Sequence, residues 1–548
     1  MPIPHQNLDR SKAIKEARRH SRKVVMLRML LPVCAIAVAC LYMIPEKIEA
    51  RVGKQGVISF DPSFTGKLLN PKYSGFDKKN GKYVVQAAYA LPNLKKPNIV
   101  KLHKIQADAE NSNQGWIKMD AAEGVYDSKK ESLSLSKSIN IATDKGLTAR
   151  MLSASVNMKT QIIQSKQPVN VKMPNGTVDA HGLTFDASAS LLTFQKNVRV
   201  SLVNNKPPSR RPARPKEGPG AMFQNNREPI NITSNLLQIN NKIQTAVFQG
   251  QVSASQSNVS LQANSLQVNY KSGGKQTKTD GSQSIKEIVA QDNVLIQTAN
   301  GQQATAQTSI FDNEKQLVTL LDGVTVKQGQ NSLTGQKLII DMNKRHSYFP
   351  PGGRVNGIFI PPADTKKKRR PKKKAKAGAP TDSLVQSFSS FASQSNDPLN
   401  VTSNRLDIFD LKKTAIFRGN VEVKRGDNSI RSGYLKLDYV GSAPISGRSS
   451  KAAGPSQGTQ IRKIIAKNKV LIATPNNQNV TSDQAVFNVA SNIVVISGNV
   501  VLTQGDNVLK GSKLVINLNT GKYDFETGGD RVRAVFTPKN FNIPGQQK

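Results

Sequence analysis

Residues 231–270 align with residues 400–439 at a constant offset of 169, without gaps, and 14 of the 40 positions are identical. Asn231-Ile232-Thr233-Ser234-Asn235 falls on Asn400-Val401-Thr402-Ser403-Asn404. Thr245 to Val252 falls on Thr414 to Val421, and Tyr270 on Tyr439. Farther on the offset becomes 176, which implies a seven-residue insertion in the intervening loop. Gly335-Gln336-Lys337-Leu338 then meets Gly511-Ser512-Lys513-Leu514, and near the ends, at an offset of 177, Arg354-Val355 meets Arg531-Val532. One domain therefore occurs twice, at about 228–362 and 398–540, and the fold must be one that a chain can build in tandem.

The pattern inside the repeat says what that domain is made of. Apolar residues alternate with polar ones, as half-buried strands require. Leu133-Ser134-Leu135, Ile139-Asn140-Ile141, Leu266-Gln267-Val268 and Leu514-Val515-Ile516 are examples. Turn signals fall between such runs at Asn80-Gly81, Asn175-Gly176, Asp280-Gly281, Asn300-Gly301 and Asp322-Gly323. Many short strands at this spacing predict an all-β sandwich, jelly roll or similar stack. A finer echo, apolar-x-Gly-x-Val, recurs at Phe248–Val252 and Ile496–Val500, with a glycine-free relative at Phe194–Val198. It reads as a strand-turn-strand unit of a repetitive β-fold.

Two stretches interrupt the strands. Residues 206–227 are rich in Pro and Arg, and residues 363–397 open with a Lys/Arg run and become Ser-rich. Neither has the composition of a core, so both read as linkers. Lys and Arg total 78 against 37 acidic residues, a net charge of +41, which suits anionic partners. The run at 366–376 has no interleaved aromatics for base stacking, so it reads as a solvated linker and not as a nucleic-acid site.

Val24 to Ile44 is a 21-residue apolar stretch broken only by Arg28, long enough to span a bilayer as a helix. Residues 1–23 form a basic tail, and the positive-inside rule places it in the cytoplasm and residues 46–548 across the membrane. A cleaved signal peptide is the alternative, with Ala37-Val38-Ala39 as a cleavage site. The apolar run continues past it through Leu41–Ile44, which favours an uncleaved single-pass anchor. Cys34 and Cys40 both lie within this run, where a thiol acts as a small hydrophobe.

Catalytic patterns are missing. His103, His181 and His346 are widely spaced, and Gly273-Gly274-Lys275 is followed by Gln276 instead of the Ser or Thr of a phosphate-binding loop. Gly454-Pro455-Ser456-Gln457-Gly458 matches GxSxG formally, but in a Pro/Gly/Ser-rich stretch without partners. No enzyme activity, metal or cofactor is expected.

These residues resemble a family. Residues 228–362 and 398–540 are similar to the LptA/OstA-type periplasmic domain of lipopolysaccharide transport. The similarity is carried by the Asn-x-Thr-Ser-Asn opening, by the glycine segments at Gly250, Gly419 and Gly498, and by the closing Arg531–Lys539. Residues 58–205 resemble the LptC-type domain of the same system, through Gly75–Tyr83 with Gly81, Ala121–Asp127 with Gly124 and Tyr126, and Gln167-Pro168-Val169. The resemblance implies tandem slot-shaped β-jelly rolls after one N-terminal transmembrane helix. It also implies head-to-tail stacking into a bridge between inner and outer membranes. Its implied partners are lipopolysaccharide, an inner-membrane ABC transporter, and other LptA-like subunits or the outer-membrane translocon, joined by β-augmentation.

Alternate inward side chains on a folded sheet make a continuous apolar row. The candidates for lining a lipid groove are Leu133, Leu135, Ile139 and Ile141, then Leu266, Val268, Leu338 and Ile340, then Leu435, Leu437, Leu514 and Ile516. A closed core is an equally good reading of each. The rival functions are an anchored β-repeat structural or adhesive protein, and a binder of anionic polymer that carries no lipid.

Overall fold

The computed structural model describes residues 66–203, 228–360, 397–527 and 533–535, apart from short stretches within them, together with Phe388 and Phe391. The expected anchor at 24–44, both cysteines, the linker at 206–227, the Lys/Arg run at 366–376, Gly454–Gly458 and Gly81 lie outside the described residues. No helix among the described residues is long and apolar enough to cross a membrane. The described chain forms 31 strands, and the strand pairs are antiparallel.

The chain divides into two compact units, one of residues 1–212, 223–257 and 262–290, the other of 213–222, 258–261 and 291–548. The division runs through the first copy of the repeat. In the first unit, Lys82–Pro92, Ile99–Asn111, Gly115–Asp127, Ser132–Thr143 and Thr148–Asn157 pair in succession. Short strands then lead to Leu191–Leu202, which closes the region before the repeat. Its free side pairs with Ile230–Asn240, the first strand of the repeat, and Thr245–Gln256 follows.

In the second unit, Asn331–Asp341 carries two short strands, His346–Phe349 and Val355–Phe359. They pair with Arg405–Phe409 and Leu399–Ser403, the leading strands of the second copy. Thr414–Arg425 spans both of these, and five long strands continue the meander to Asn507–Asn517. Lys522–Glu526 and Arg533–Val535 close it.

The apolar-x-Gly-x-Val segments are not turns between strands. Each lies in the middle of one strand, at a bulge where the register shifts. Two consecutive residues there take positive φ: Gly250 and Gln251 (76° and 49°), Gly419 and Asn420 (77° and 46°), Gly498 and Asn499 (79° and 48°). Lys196 and Asn197 do the same without glycine, at 61° and 50°. Asp322-Gly323, expected as a hairpin turn, is another such bulge inside Leu317–Gln328. Such a bulge bends the strand without ending it. Buried residues then fall four apart across the kink, as with Leu135 and Ile139 or Phe417 and Val421. On the neighbouring strands they fall three apart, as with Met151 and Ala154 or Ser432 and Leu435. The motif thus marks a bend, and sequence alone shows only that a glycine is wanted there. At Gly250 a Cβ would stand 2.8 Å from Asn235 Nδ2, and at Gly419 it would stand 3.1 Å from Asn404 Nδ2. The matched Asn and Gly are therefore one packing unit.

Candidate functional site

Eleven of the twelve groove candidates are buried: Leu133, Leu135, Ile139, Ile141, Leu266, Leu338, Ile340, Leu435, Leu437, Leu514 and Ile516. Val268 is half-buried. The register assembles several of them into rows that cross the strands.

In the first unit one row runs Ala107, Met119, Ile141, Ala149, Val171, Val178, Val200, Ile232, Ala254. Every member is buried. The step from Val200 to Ile232 crosses from the region before the repeat into the first copy. In the second unit a row runs Val318, Ile340, Ser347, Ile408, Ala415, Leu437, Ile464, Phe487, Val494, Ile516. It crosses from the first copy into the second between Ser347 and Ile408. Parallel to it, Phe349, Leu406, Phe417, Leu435, Ala466, Ala485, Ile496 and Leu514 make a second row. Each buried Leu, Ile or Phe is worth roughly 1.5–3 kcal/mol, so these rows are what hold the strands in register. The buried rows do not stop where one copy ends.

Of the family-motif residues, Gly75 lies in Lys72–Phe76. Gly124 is buried beneath Leu135: a Cβ there would meet Ile105 Cδ1 at 2.5 Å, so the tip of the Ile105 side chain fills the space an alanine methyl would need. Tyr126, two residues on, has its hydroxyl pushed up by burial. Burial also pushes the matched Tyr270 up to about 12, and Tyr439 upward as well.

Sequence reasoning passed over a polar cluster on the opposite face, where the two copies meet. Asp407 is 1% exposed and accepts from Arg405 through Nε and Nη2, both at 2.8 Å. Arg418 donates to the same carboxylate, and His346 Nε2 lies 3.1 Å from it. Burial pushes the carboxyl up, but Arg405, His346 and Arg418 outweigh it and hold Asp407 below the usual carboxylate range. The His346 ring stacks on Phe409 at 4.5 Å and on Tyr348 at 5.0 Å. Beside the cluster, Arg354 donates to Asn404 Oδ1 (3.0 Å), Asn420 O (2.9 Å) and Thr402 Oγ1 (2.6 Å). His103, by contrast, stacks on Tyr89 at 4.4 Å, and His181 faces Asn197.

The stretch 363–397 supplies core after all, against the expectation from its composition. Phe388 and Phe391 are 0% and 1% exposed. Their rings lie 6.0 Å and 5.7 Å from the Phe487 ring. Phenylalanines three apart share a side when the backbone is helical, as it is at both positions. That spacing is the signal the serine-rich composition hid.

Comparison with known proteins places these parts. A family model described as LptA/(LptD N-terminal domain) LPS transport protein matches residues 231–346 and again 400–522. A second, described as lipopolysaccharide-assembly, LptC-related, matches residues 35–203. An uncharacterized protein of Rhizobium meliloti (strain 1021) is 30% identical over 148 residues, 27% of this chain and 75% of that protein. Among solved structures, LptH, the LptA homologous periplasmic component of the lipopolysaccharide transport device of Pseudomonas aeruginosa, matches with 15% identity and a TM-score of 0.21, over 26% of this chain and 96% of that one.

Proposed function

Because the chain belongs to the lipopolysaccharide-transport family, with an LptC-related part followed by two copies of the LptA/LptD N-terminal type, we propose that it is a membrane-anchored periplasmic segment of a lipid bridge. It shields acyl chains on apolar rows and passes them from one copy to the next. The observation that carries this reading is the continuity of the row from Ile340 through Ile408 and Leu437 to Ile516.

The physics of the cargo asks for such a surface. Covering one methylene is worth about 0.8 kcal/mol, so a 12-carbon acyl chain gains roughly 10 kcal/mol by leaving water. Passage through an aqueous compartment needs a largely continuous apolar path, and the row that crosses the strand pairing is apolar on both sides of the single serine, Ser347, at the crossing. Basic residues along the rims attract the phosphates of the head group. The anchor at 24–44 holds the LptC-related part at the inner membrane, beside an ABC transporter that supplies the energy.

The far end supports extension by further subunits. Lys522–Glu526 and Arg533–Val535 pair with Asn507–Asn517 just as His346–Phe349 and Val355–Phe359 pair with Asn331–Asp341. The latter two strands receive the next copy. At the end of the chain Tyr523 and Val535 are 49% and 64% exposed. Another LptA-like subunit, or an outer-membrane translocon with such a domain, would add by β-augmentation there.

The test is photocrosslinking in living cells from a benzoylphenylalanine placed at Ile340 or Leu437. Covalent lipopolysaccharide at both positions, retained through a high-salt wash, is the expected result. Lipid-free chains at both positions, with anionic polymer bound and lost in salt, would replace this reading with that of a polymer binder.

A further inference from the structure

We propose that Phe388 and Phe391 are an internal ligand of the second copy: they occupy the position that an acyl chain takes, and lipid must displace them to pass. The inference rests on the transport reading and concerns how that site is regulated.

Three observations meet here. First, the two rings belong to a stretch whose composition is otherwise that of a solvated tether, yet they are as buried as any side chain in the sheet. Second, they seat on Phe487, and Phe487 stands in the row with Ile340, Leu437 and Ile516, between Ile464 and Val494. They therefore lie against the row itself, at Phe487 in its part within the second copy. Third, they reach this place from a segment that joins the copies instead of from a strand. No ladder hydrogen bond of the sheet depends on them, and the row beneath is complete in its own register without them.

Such an arrangement behaves as a tethered competitor. A group carried on the same chain as its site acts at an effective concentration of order mM, so it holds its site whenever no stronger ligand is present. Two phenyl groups keep the row dry between cargoes and prevent wrong association through an exposed apolar strip. An acyl chain offers more methylene area than the two rings, and lipid with several chains displaces them. The apparent affinity of the second copy for lipid is then lowered by the fraction of time the rings are seated. The first copy, probed at Ile340, gives the internal comparison.

The experiment uses the full-length chain with the crosslinker at Leu437 or at Ile340, each with and without the pair Phe388→Ser and Phe391→Ser. Lipopolysaccharide crosslinking at Leu437 should rise about fivefold or more in the double variant, in proportion to the seated fraction removed. Crosslinking at Ile340 should stay within about twofold. A synthetic peptide of residues 381–395, added to the purified double variant, should restore the lower yield at Leu437. Equal yields at Leu437 with and without the pair, while Ile340 still crosslinks, would overturn the internal-ligand role and leave the transport reading standing. No lipid at either position in any chain would overturn both. A variant too unstable to fold is bypassed by Phe388→Cys alone, with its alkylation mapped by mass so that Cys34 and Cys40 do not interfere. Lipopolysaccharide should speed its alkylation severalfold, and protection that persists with lipid bound would mark the pair as permanent core.

Discussion

Where the LptC-related part meets the first copy, one strand of 12 residues lies along one of 11, Leu191–Leu202 on Ile230–Asn240. Where the first copy meets the second, the same task falls to two short strands on each side, with 4 and 5 residues facing 5 and 5. The long junction is continuous apart from one bulge, and neither of its strands contains an acidic residue. At the position matched to Asp407 it has Gln238, opposite Thr193. The split junction loses ladder bonds at its break and has side chains there instead. Arg354 straps Thr402, Asn404 and the carbonyl of Asn420 across the gap, and the Asp407 cluster fastens one short pair. The comparison teaches that the apolar rows need only register. What secures register can be backbone length in one place and buried charge in another.

The largest expected break is Asp407→Ala. It leaves Arg405 and Arg418 facing each other without their shared carboxylate, and removing one partner of a buried pair costs about 3 kcal/mol. Hydrogen exchange at Tyr348 and Ile408 should rise accordingly, while Gln238→Ala at the other junction should change exchange at Thr193 by less than about 0.5 kcal/mol. Local exchange is the right measurement because a chain of several parts does not unfold in one step. Acid sharpens the same contrast. The Asp407 carboxyl is held below its unfolded value of about 3.9, so its contribution is complete above about pH 5 and is lost as pH falls through the folded value. The split junction should loosen on acidification and the long one should not, and Asp407→Asn should abolish the difference.

Gly250→Val and Gly419→Val test what the two copies share. A β-branched residue at φ near +76° costs about 2 kcal/mol, and each Cβ would crowd the matched asparagine. Near-equal losses of local hydrogen-exchange protection on the strands around Gly250 and Gly419 are expected, and a large inequality would break the equivalence of the bends. His346→Ala removes the stack on Phe409 and Tyr348 and one bond to Asp407, about 1 kcal/mol at the split junction alone. The smallest effect is that of Arg354→Ala, below about 1 kcal/mol by the same exchange measurement, because its partners lie at the surface and water can replace it.

The β class, the tandem copy and the inward row were legible because period two and the fixed offset are local facts of the chain. Leu435, Leu437, Leu514 and Ile516 proved buried because alternation survives any arrangement of strands. Other features were beyond such reading. The bends at Gly250 and Asp322-Gly323 look like turns in one dimension, since both use residues that tolerate positive φ; only pairing shows that the strand goes on. His346 and Asp407 are 61 residues apart, so neither seems to have a partner until the copies dock. Phe388 and Phe391 sat in a segment whose lysines and serines spoke for solvent, and two side chains do not alter a composition.

The bends also make the copies digital. With Phe417 and Val421 both inside, one residue added between them would send Val421 and Val423 to solvent and bring Glu422 and Lys424 into the apolar interior. No gradual lengthening is open to such a strand. The seven-residue difference between the copies accordingly falls in the stretch after Tyr270 and Tyr439, outside every described strand. Length can therefore vary in the loops at little cost, whereas a single residue added within a strand turns its inner face outward.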